Sequence, residues 1–171
     1  RYCPDCCDKI AVEAGGATRN DTVRNAISYF CENSKVDENS ILVTHDAVRP
    51  FVSHRIIEEN VQAAIEFGAC DTVVPATDTI VQSDDGALIS AIPDRSKLYQ
   101  GQTPQSFNLL ELKQLISSLS SDEEAILTDA CKIYTLRGRK VALVRGDVSN
   151  MKITYPHDLR VASALMGNSR A

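Results

Sequence analysis

The sequence predicts an α/β protein built on a mostly parallel sheet, with a β-hairpin arm inserted into it. Three observations carry this. The apolar runs Ile41-Leu42-Val43, Asp71-Thr72-Val73-Val74-Pro75 and Val141-Ala142-Leu143-Val144 alternate with stretches of helical periodicity. Short connections between such alternating elements favour parallel strands joined right-handedly. Thr79-Ile80-Val81-Gln82 and the run Ala87 to Ile92 flank Asp84-Asp85-Gly86, the pattern of a hairpin. The 171 residues, 43% apolar and 24% charged, suffice for a single domain spanning 1–171 with its own core.

In chain order, Ile10-Ala11-Val12 reads as a short strand and Gly15-Gly16 as a tight turn. Val23, Ile27 and Phe30 then recur at helical spacing behind Asn20, a residue type that caps helices. Ile41-Leu42-Val43 suits a strand covered on both faces. Ser53 caps the next helix, whose face is Ile57, Val61, Ala64 and Ile65, and Gly68 ends it. The hairpin occupies about 78–97 and projects as an arm. The stretch Tyr99 to Phe107 is rich in uncharged polar groups. Asn108 caps a helix carrying Leu109, Leu112, Ile116 and Leu119. Thr128-Asp129 opens another, ended near Gly138. The last helix is capped by Thr154, has Pro156 in its first turn, and faces Leu159, Ala162 and Met166 inward.

Composition excludes several classes. A net charge of −5 disfavours nucleic acid and anionic membranes as partners. No apolar run approaches the length of a membrane span, and Arg1 to Glu13 lacks the core of a signal peptide. Cys3, Cys6 and Cys7 contain a C-x-x-C spacing with no second pair to complete a zinc site. Reduced thiols and a cytoplasmic setting are therefore expected, with Cys70 and Cys131 in the core.

The chemistry gathers at strand ends. Thr44-His45-Asp46-Ala47-Val48-Arg49-Pro50 follows the central strand, and the carboxyl edge of an open α/β sheet is where ligands bind. Arg19 at the glycine turn, Arg95 at the end of the arm, Thr128 and Asp129 at a helix start and Lys152 before the last helix add to it. Cations with carboxylates suit phosphate chemistry: Arg and Lys offset phosphate charge, and Asp holds Mg²⁺ directly or through water. Such a reaction is electrostatic and positional.

Gly15-Gly16-Ala17-Thr18-Arg19-Asn20, His45 to Pro50, Asp78-Thr79, Thr103-Pro104-Gln105, Thr128-Asp129 and Asn150-Met151-Lys152-Ile153-Thr154 occur in that order. In this it resembles the cytidylyltransferases that make CDP-polyols. That family includes 2-C-methyl-D-erythritol 4-phosphate cytidylyltransferase and ribitol-5-phosphate cytidylyltransferase. The stretches Tyr99 to Gln105 and Leu127 to Ile133, with Ala130 after Thr128-Asp129, resemble the ribitol branch more closely. That implies CDP-ribitol and pyrophosphate as products, as in teichoic-acid precursor synthesis.

The resemblance implies a Rossmann-like nucleotidyltransferase sheet and a set of roles. Gly15, Gly16, Ala17, Thr18, Arg19, Asn20, Thr22 and Asp46 hold CTP, and Asp46 contacts Mg²⁺ directly or through water. Arg95 and Lys152 are catalytic and position the polyol phosphate. Arg49, Thr79, Thr103 and Thr128 line the substrate pocket. The arm crosses to a second copy in a homodimer.

One departure bears on activity. The family's glycine-rich loop after its first strand, with a Pro-Lys pair, has no match here. Two strand–helix units, roughly 60 residues, are expected upstream of Arg1, and the chain as it stands is expected to be truncated and inactive or nearly so. Rival readings are the methylerythritol phosphate reaction, a nucleotidyltransferase using UTP or GTP, and a non-catalytic dimeric or zinc-associated interaction module.

Overall fold

The computed structural model describes residues 9–125 and 129–168. Thr128, Cys3, Cys6 and Cys7, singled out above, lie outside them. The elements are α1 (Arg19–Asn33), β1 (Ile41–Thr44), α2 (His54–Phe67), β2 (Ala69–Pro75), a 3₁₀ turn (Arg95–Lys97), β3 (Tyr99–Asn108), α3 (Leu109–Ser117), α4 (Ser121–Ala125), α5 (Ala130–Leu136), β4 (Ala142–Arg145) and α6 (Asp158–Asn168).

Four strands among the described residues form one sheet in the order β1-β3-β2-β4. β1, β2 and β4 run the same way. β3 is reversed between β1 and β2 and pairs antiparallel with both, while β2 and β4 pair in parallel. This is a mixed α/β sheet. β3 is its longest strand, and it comes from the polar stretch that gave no strand pattern. Its Thr103, Gln105 and Ser106 are buried; the Thr103 hydroxyl and the Gln105 amide N–H groups find partners there, and the Ser106 hydroxyl has none among the described residues.

Local chemistry explains most boundaries. Thr18, and not Asn20, caps α1. Its hydroxyl accepts from the Asp21 N–H at 3.1 Å while its own N–H donates to the Asp21 carboxylate at 3.0 Å, a reciprocal box that satisfies two free helix-end donors. Ser53 and Asn108 cap α2 and α3, and Gly68 closes α2 at φ +81°, a conformation costly for a side chain with a Cβ. α6 starts four residues later than Thr154. The Asp158 carboxylate accepts from the Thr154 and Tyr155 N–H groups, holding the preceding turn outside the helix.

Three expectations change. Ile10 to Val12 is an exposed irregular segment, not a strand, because no described strand lies beside it. α2 buries Ile56, Asn60 and Ala64 in place of Ile57 and Ile65. Asn60 donates to Thr72 at 2.7 Å, and Thr72 donates to the Pro104 carbonyl at 2.6 Å, so a polar bolt ties the helix to the sheet. In α6 only Ala162 of the expected three faces inward; Leu159 and Met166 are exposed.

The arm is a hairpin only at one bridge, Gln82 to Ala91. Asp85 draws in the N–H groups of Ala87 and Leu88, offering the backbone a local alternative to ladder bonds. The main core lies between the sheet and the helices α1, α3 and α5, around Ile27, Leu42, Phe107, Leu112, Ile133 and Tyr134. Cys70 and Cys131 are both buried, and burial pushes the Cys70 thiol up to about 11.

Candidate active site

Two residues beyond β1, Asp46 turns its carboxylate toward three cations from distant segments. Arg19, the first residue of α1, lies 3.7 Å from one oxygen. Arg49 and Lys152 lie 3.6 and 3.2 Å from the other. Burial pushes the Asp46 carboxyl up, but Lys152, Arg19 and Arg49 together outweigh this and hold it below the usual carboxylate range. One carboxylate against three cations leaves a local excess of positive charge in a chain that is negative overall, which is the setting for a polyanion.

The turn that presents Asp46 is fixed from both sides. The Arg49 N–H donates to the Asp46 carbonyl at 2.9 Å. The Asp46 N–H donates to the Thr103 hydroxyl at 3.0 Å, and His45 bridges Thr103 and the Arg49 carbonyl at 3.0 and 2.9 Å. Arg49 donates to the Asn150 carbonyl at 2.8 Å. The fully buried Asn150 side chain donates to the Thr103 carbonyl and to Gln102. The Ile153 N–H donates to the Val48 carbonyl, so the loop bearing Lys152 is laced to the loop bearing Asp46.

Beside this cluster is a cavity of about 290 Å³ lined by Arg49, Thr77, Gln100, Gln102, Met151 and Lys152. Arg95 donates to the Thr77 carbonyl at 2.7 Å, which anchors it at the rim and outside the Asp46 cluster. Thr79 lies exposed in the arm. A larger cavity of about 640 Å³ shares Val74, Pro75, Thr77 and Val148 with the first and continues on the Arg55 and Arg145 side. The smaller cavity is the one that Arg49 and Lys152 of the Asp46 cluster line, whereas the larger is lined by Arg55 and Arg145.

The glycine turn packs against its own helix. The Gly16 N–H donates to the Thr22 hydroxyl at 3.0 Å, and a Cβ on Gly16 would lie 2.1 Å from the Asp21 Cβ. Gly15 sits beside the same hydroxyl. This glycine pair is needed for the close approach of the turn to α1, which aims Arg19 at Asp46. Ala17 lies in the same turn, and Asn20 lies in the first turn of α1.

Mg²⁺ is commonly held by one or two carboxylates together with substrate phosphates and water. No group of three His, Cys, Asp or Glu gathers among the described residues. Among the described residues, Asp46 is the carboxylate of the cation cluster and would be the protein's contribution to such a site.

Elsewhere two carboxylates meet: Asp129, expected from its place at a helix start, and Asp71, which nothing in its local sequence marked. Asp129, at the start of α5, shares one donor with Asp71 of β2: the buried Gln105 amide donates to Asp71 and Asp129 at 3.0 and 2.8 Å. Burial pushes the Asp71 carboxyl up to about 6; the Gln105 bond opposes this and the Asp129 charge adds to it. Asn150, Gln102 and Gln105 carry no role in the sequence reading, though all three stand in or beside the quoted motifs. A Gln or Asn flanked by site residues is the signal that could have found them.

A mixed α/β sheet with clustered cations and a carboxylate at a strand's carboxyl end suits the class of enzymes that act on phosphates. Residues 5–168 match the family model of 2-C-methyl-D-erythritol 4-phosphate cytidylyltransferase, and the chain belongs to that family. It is an enzyme of the cytidylyltransferase class, acting with CTP on a phosphorylated polyol. Among solved structures it is similar to a 4-diphosphocytidyl-2C-methyl-D-erythritol synthase, at 31% identity over 89% of this chain and 68% of that one, TM-score 0.76. It is also similar to the 2-C-methyl-D-erythritol 4-phosphate cytidylyltransferases of Thermus thermophilus (30% identity, 90% and 71% covered, TM-score 0.74) and Francisella tularensis (28%, 91% and 71%, TM-score 0.81). No helix among the described residues is long and apolar enough to cross a membrane.

Proposed function

We propose that the chain transfers the cytidylyl group of CTP to 2-C-methyl-D-erythritol 4-phosphate. The carrying observation is the convergence of Arg19, Arg49 and Lys152 on Asp46. An oxygen of the polyol phosphate attacks the α-phosphorus of CTP. The bond from that phosphorus to the bridging oxygen breaks, and pyrophosphate leaves with the electron pair. No proton has to be removed from an ionised phosphate, so the protein's work is to bring two anions together and stabilise the added charge.

In this reading Arg19 and the turn from Gly15 to Thr22 face the triphosphate, while Arg49 and Lys152 hold the attacking phosphate in the adjoining cavity. Asp46 keeps the three cations apart and in register when no anion is bound. When Mg²⁺ is bound, Asp46 and the triphosphate hold it, and it supplies further charge neutralisation. Arg95 acts from the arm, whose Ile80, Val81, Leu88, Ile89 and Ile92 are exposed and suit a second copy of the chain. The free thiols of Cys31, Cys70 and Cys131 suit a reducing, cytoplasmic compartment.

The names of the matching family and structures support methylerythritol phosphate as the acceptor. One observation favours ribitol 5-phosphate: Ala130 follows Thr128-Asp129 where the methylerythritol branch tends to carry a second acid. The test is CTP-dependent pyrophosphate release by the protein, with each polyol phosphate in parallel. Turnover with methylerythritol phosphate at least about tenfold above ribitol 5-phosphate, a difference of about 1.4 kcal/mol, supports the first reading. The reverse ratio supports the second, and release with neither removes both.

A further inference from the structure

His45 stands beside Asp46, yet the transfer reaction leaves it without a task. Its two ring nitrogens are both engaged. Nε2 lies 2.9 Å from the Arg49 carbonyl. A carbonyl only accepts, so Nε2 carries the proton. In the neutral ring Nδ1 then has a lone pair, and it lies 3.0 Å from the Thr103 hydroxyl. That hydroxyl accepts from the Asp46 N–H at 3.0 Å and has its own proton free for Nδ1. The directions form one consistent chain: Asp46 N–H to Thr103 oxygen, Thr103 O–H to Nδ1, Nε2–H to the Arg49 carbonyl.

We propose that His45 is a positioning residue, locked as its Nε2–H tautomer, that joins Thr103 to the Arg49 carbonyl and so sets Asp46 against Arg49 for the transfer. The inference rests on the reaction proposed above. A general-base role is closed to it, because neither nitrogen is free and the attacking phosphate needs no base. Thr103 gains a different place as well. It is 3% exposed, and both of its hydroxyl's partners are protein groups, so it works through the turn and not on the substrate. The Asp46–Arg49 hydrogen bond closes the loop from inside, and the His45 bridge closes it from outside. With the Arg49 side chain also held by the Asn150 carbonyl, the turn carries two site residues at a fixed spacing.

The chain has three histidines. His54 and His157 have side chains 85% and 73% exposed and face the Glu58 and Asp158 carboxylates, so their signals are told apart from that of His45 by substituting each in turn. The experiment is a nitrogen–proton correlation spectrum of the ¹⁵N-histidine-labelled protein near pH 8, above the ordinary imidazole range. His45 is expected to show a protonated Nε2 and a bare Nδ1. A protonated Nδ1, or nitrogens averaged between the two tautomers, overturns the proposal.

A kinetic arm uses Thr103→Val, which removes the hydroxyl and keeps the shape. It is expected to lower kcat about ten- to a hundredfold, the scale of a small misplacement of reacting groups, with little change in the KM for either substrate and a shifted His45 Nδ1 resonance. Thr103→Ser restores both. A raised KM for the polyol phosphate with an intact His45 signature makes Thr103 a substrate contact and overturns the proposal. The spectrum needs no turnover, so failure of the transfer reading and failure of this one are read separately.

Discussion

Asp46 and Asp71 are the same side chain put to opposite uses on one sheet. Asp46 lies just past the end of β1 among Arg19, Arg49 and Lys152, which hold its carboxyl low against the pull of burial. Asp71 lies inside β2, facing an amide and a second carboxylate, and burial pushes it up to about 6. Asp46 is surrounded by cations it cannot neutralise. Asp71 faces mainly a neutral amide and an acidic group, and Arg19 opposes its shift only weakly from a distance. The first arrangement invites an anionic ligand. The second stores an electrostatic cost inside the fold, with Gln105 as its main relief. The difference teaches that perturbation alone does not mark a catalytic carboxylate; the identity of the partners does.

The largest expected break in this comparison is on the Asp46 side. Lys152→Ala is expected to lower kcat/KM for cytidylyl transfer by about 10²–10³-fold, the scale of one lost transition-state donor. Its side chain is 48% exposed, so thermal unfolding should change little. Steady-state pyrophosphate release and a melting curve on the same sample check both halves.

Asp71 offers the next effect, in stability. Its folded value of about 6 exceeds the ordinary 3.8, so the folded state binds the proton more tightly than the unfolded chain. This contribution is fully present below about pH 4 and is lost as pH rises through about 6. Two units at about 1.4 kcal/mol each set a ceiling on the order of 2–3 kcal/mol. Asp71→Asn keeps an oxygen for the Gln105 amide and removes the charge. It is expected to raise stability at pH 8 and flatten the stability profile between pH 4 and 7, read by urea unfolding across that range. A variant less stable at pH 8, with the slope intact, contradicts this account of Asp71.

The smallest effect sharpens the Asp46 side from a distance. Thr18→Ala removes the cap that starts α1 at Arg19, and is expected to cost about 1 kcal/mol. Activity should fall modestly through loosening of Arg19. Denaturant midpoints and the KM for CTP report the two consequences.

The Asp46 side was legible in the sequence because its residues are charged, sit at strand ends and recur in ordered motifs. The Asp71 side was not. Tyr99 to Phe107 has neither alternation nor an apolar run, so nothing announced the strand that carries Gln105 between β1 and β2. Its polar groups are buried by pairing across the sheet, which depends on partners far along the chain. The face of α2 was misread for the same reason. Asn60 stands in the middle of the buried face, and only Thr72 opposite makes that position intelligible. Helix caps and the cation cluster are local or compositional signals; strand order and buried polar pairs are neither.

The most direct test sets the two carboxylates against each other. Asp46→Asn and Asp71→Asn are assayed side by side for CTP-dependent pyrophosphate release, with methylerythritol phosphate and with ribitol 5-phosphate. The account predicts a loss of about 10²-fold or more for Asp46→Asn with the preferred acceptor, and activity within a few-fold of wild type for Asp71→Asn. Equal losses, or a larger loss at Asp71, would contradict it.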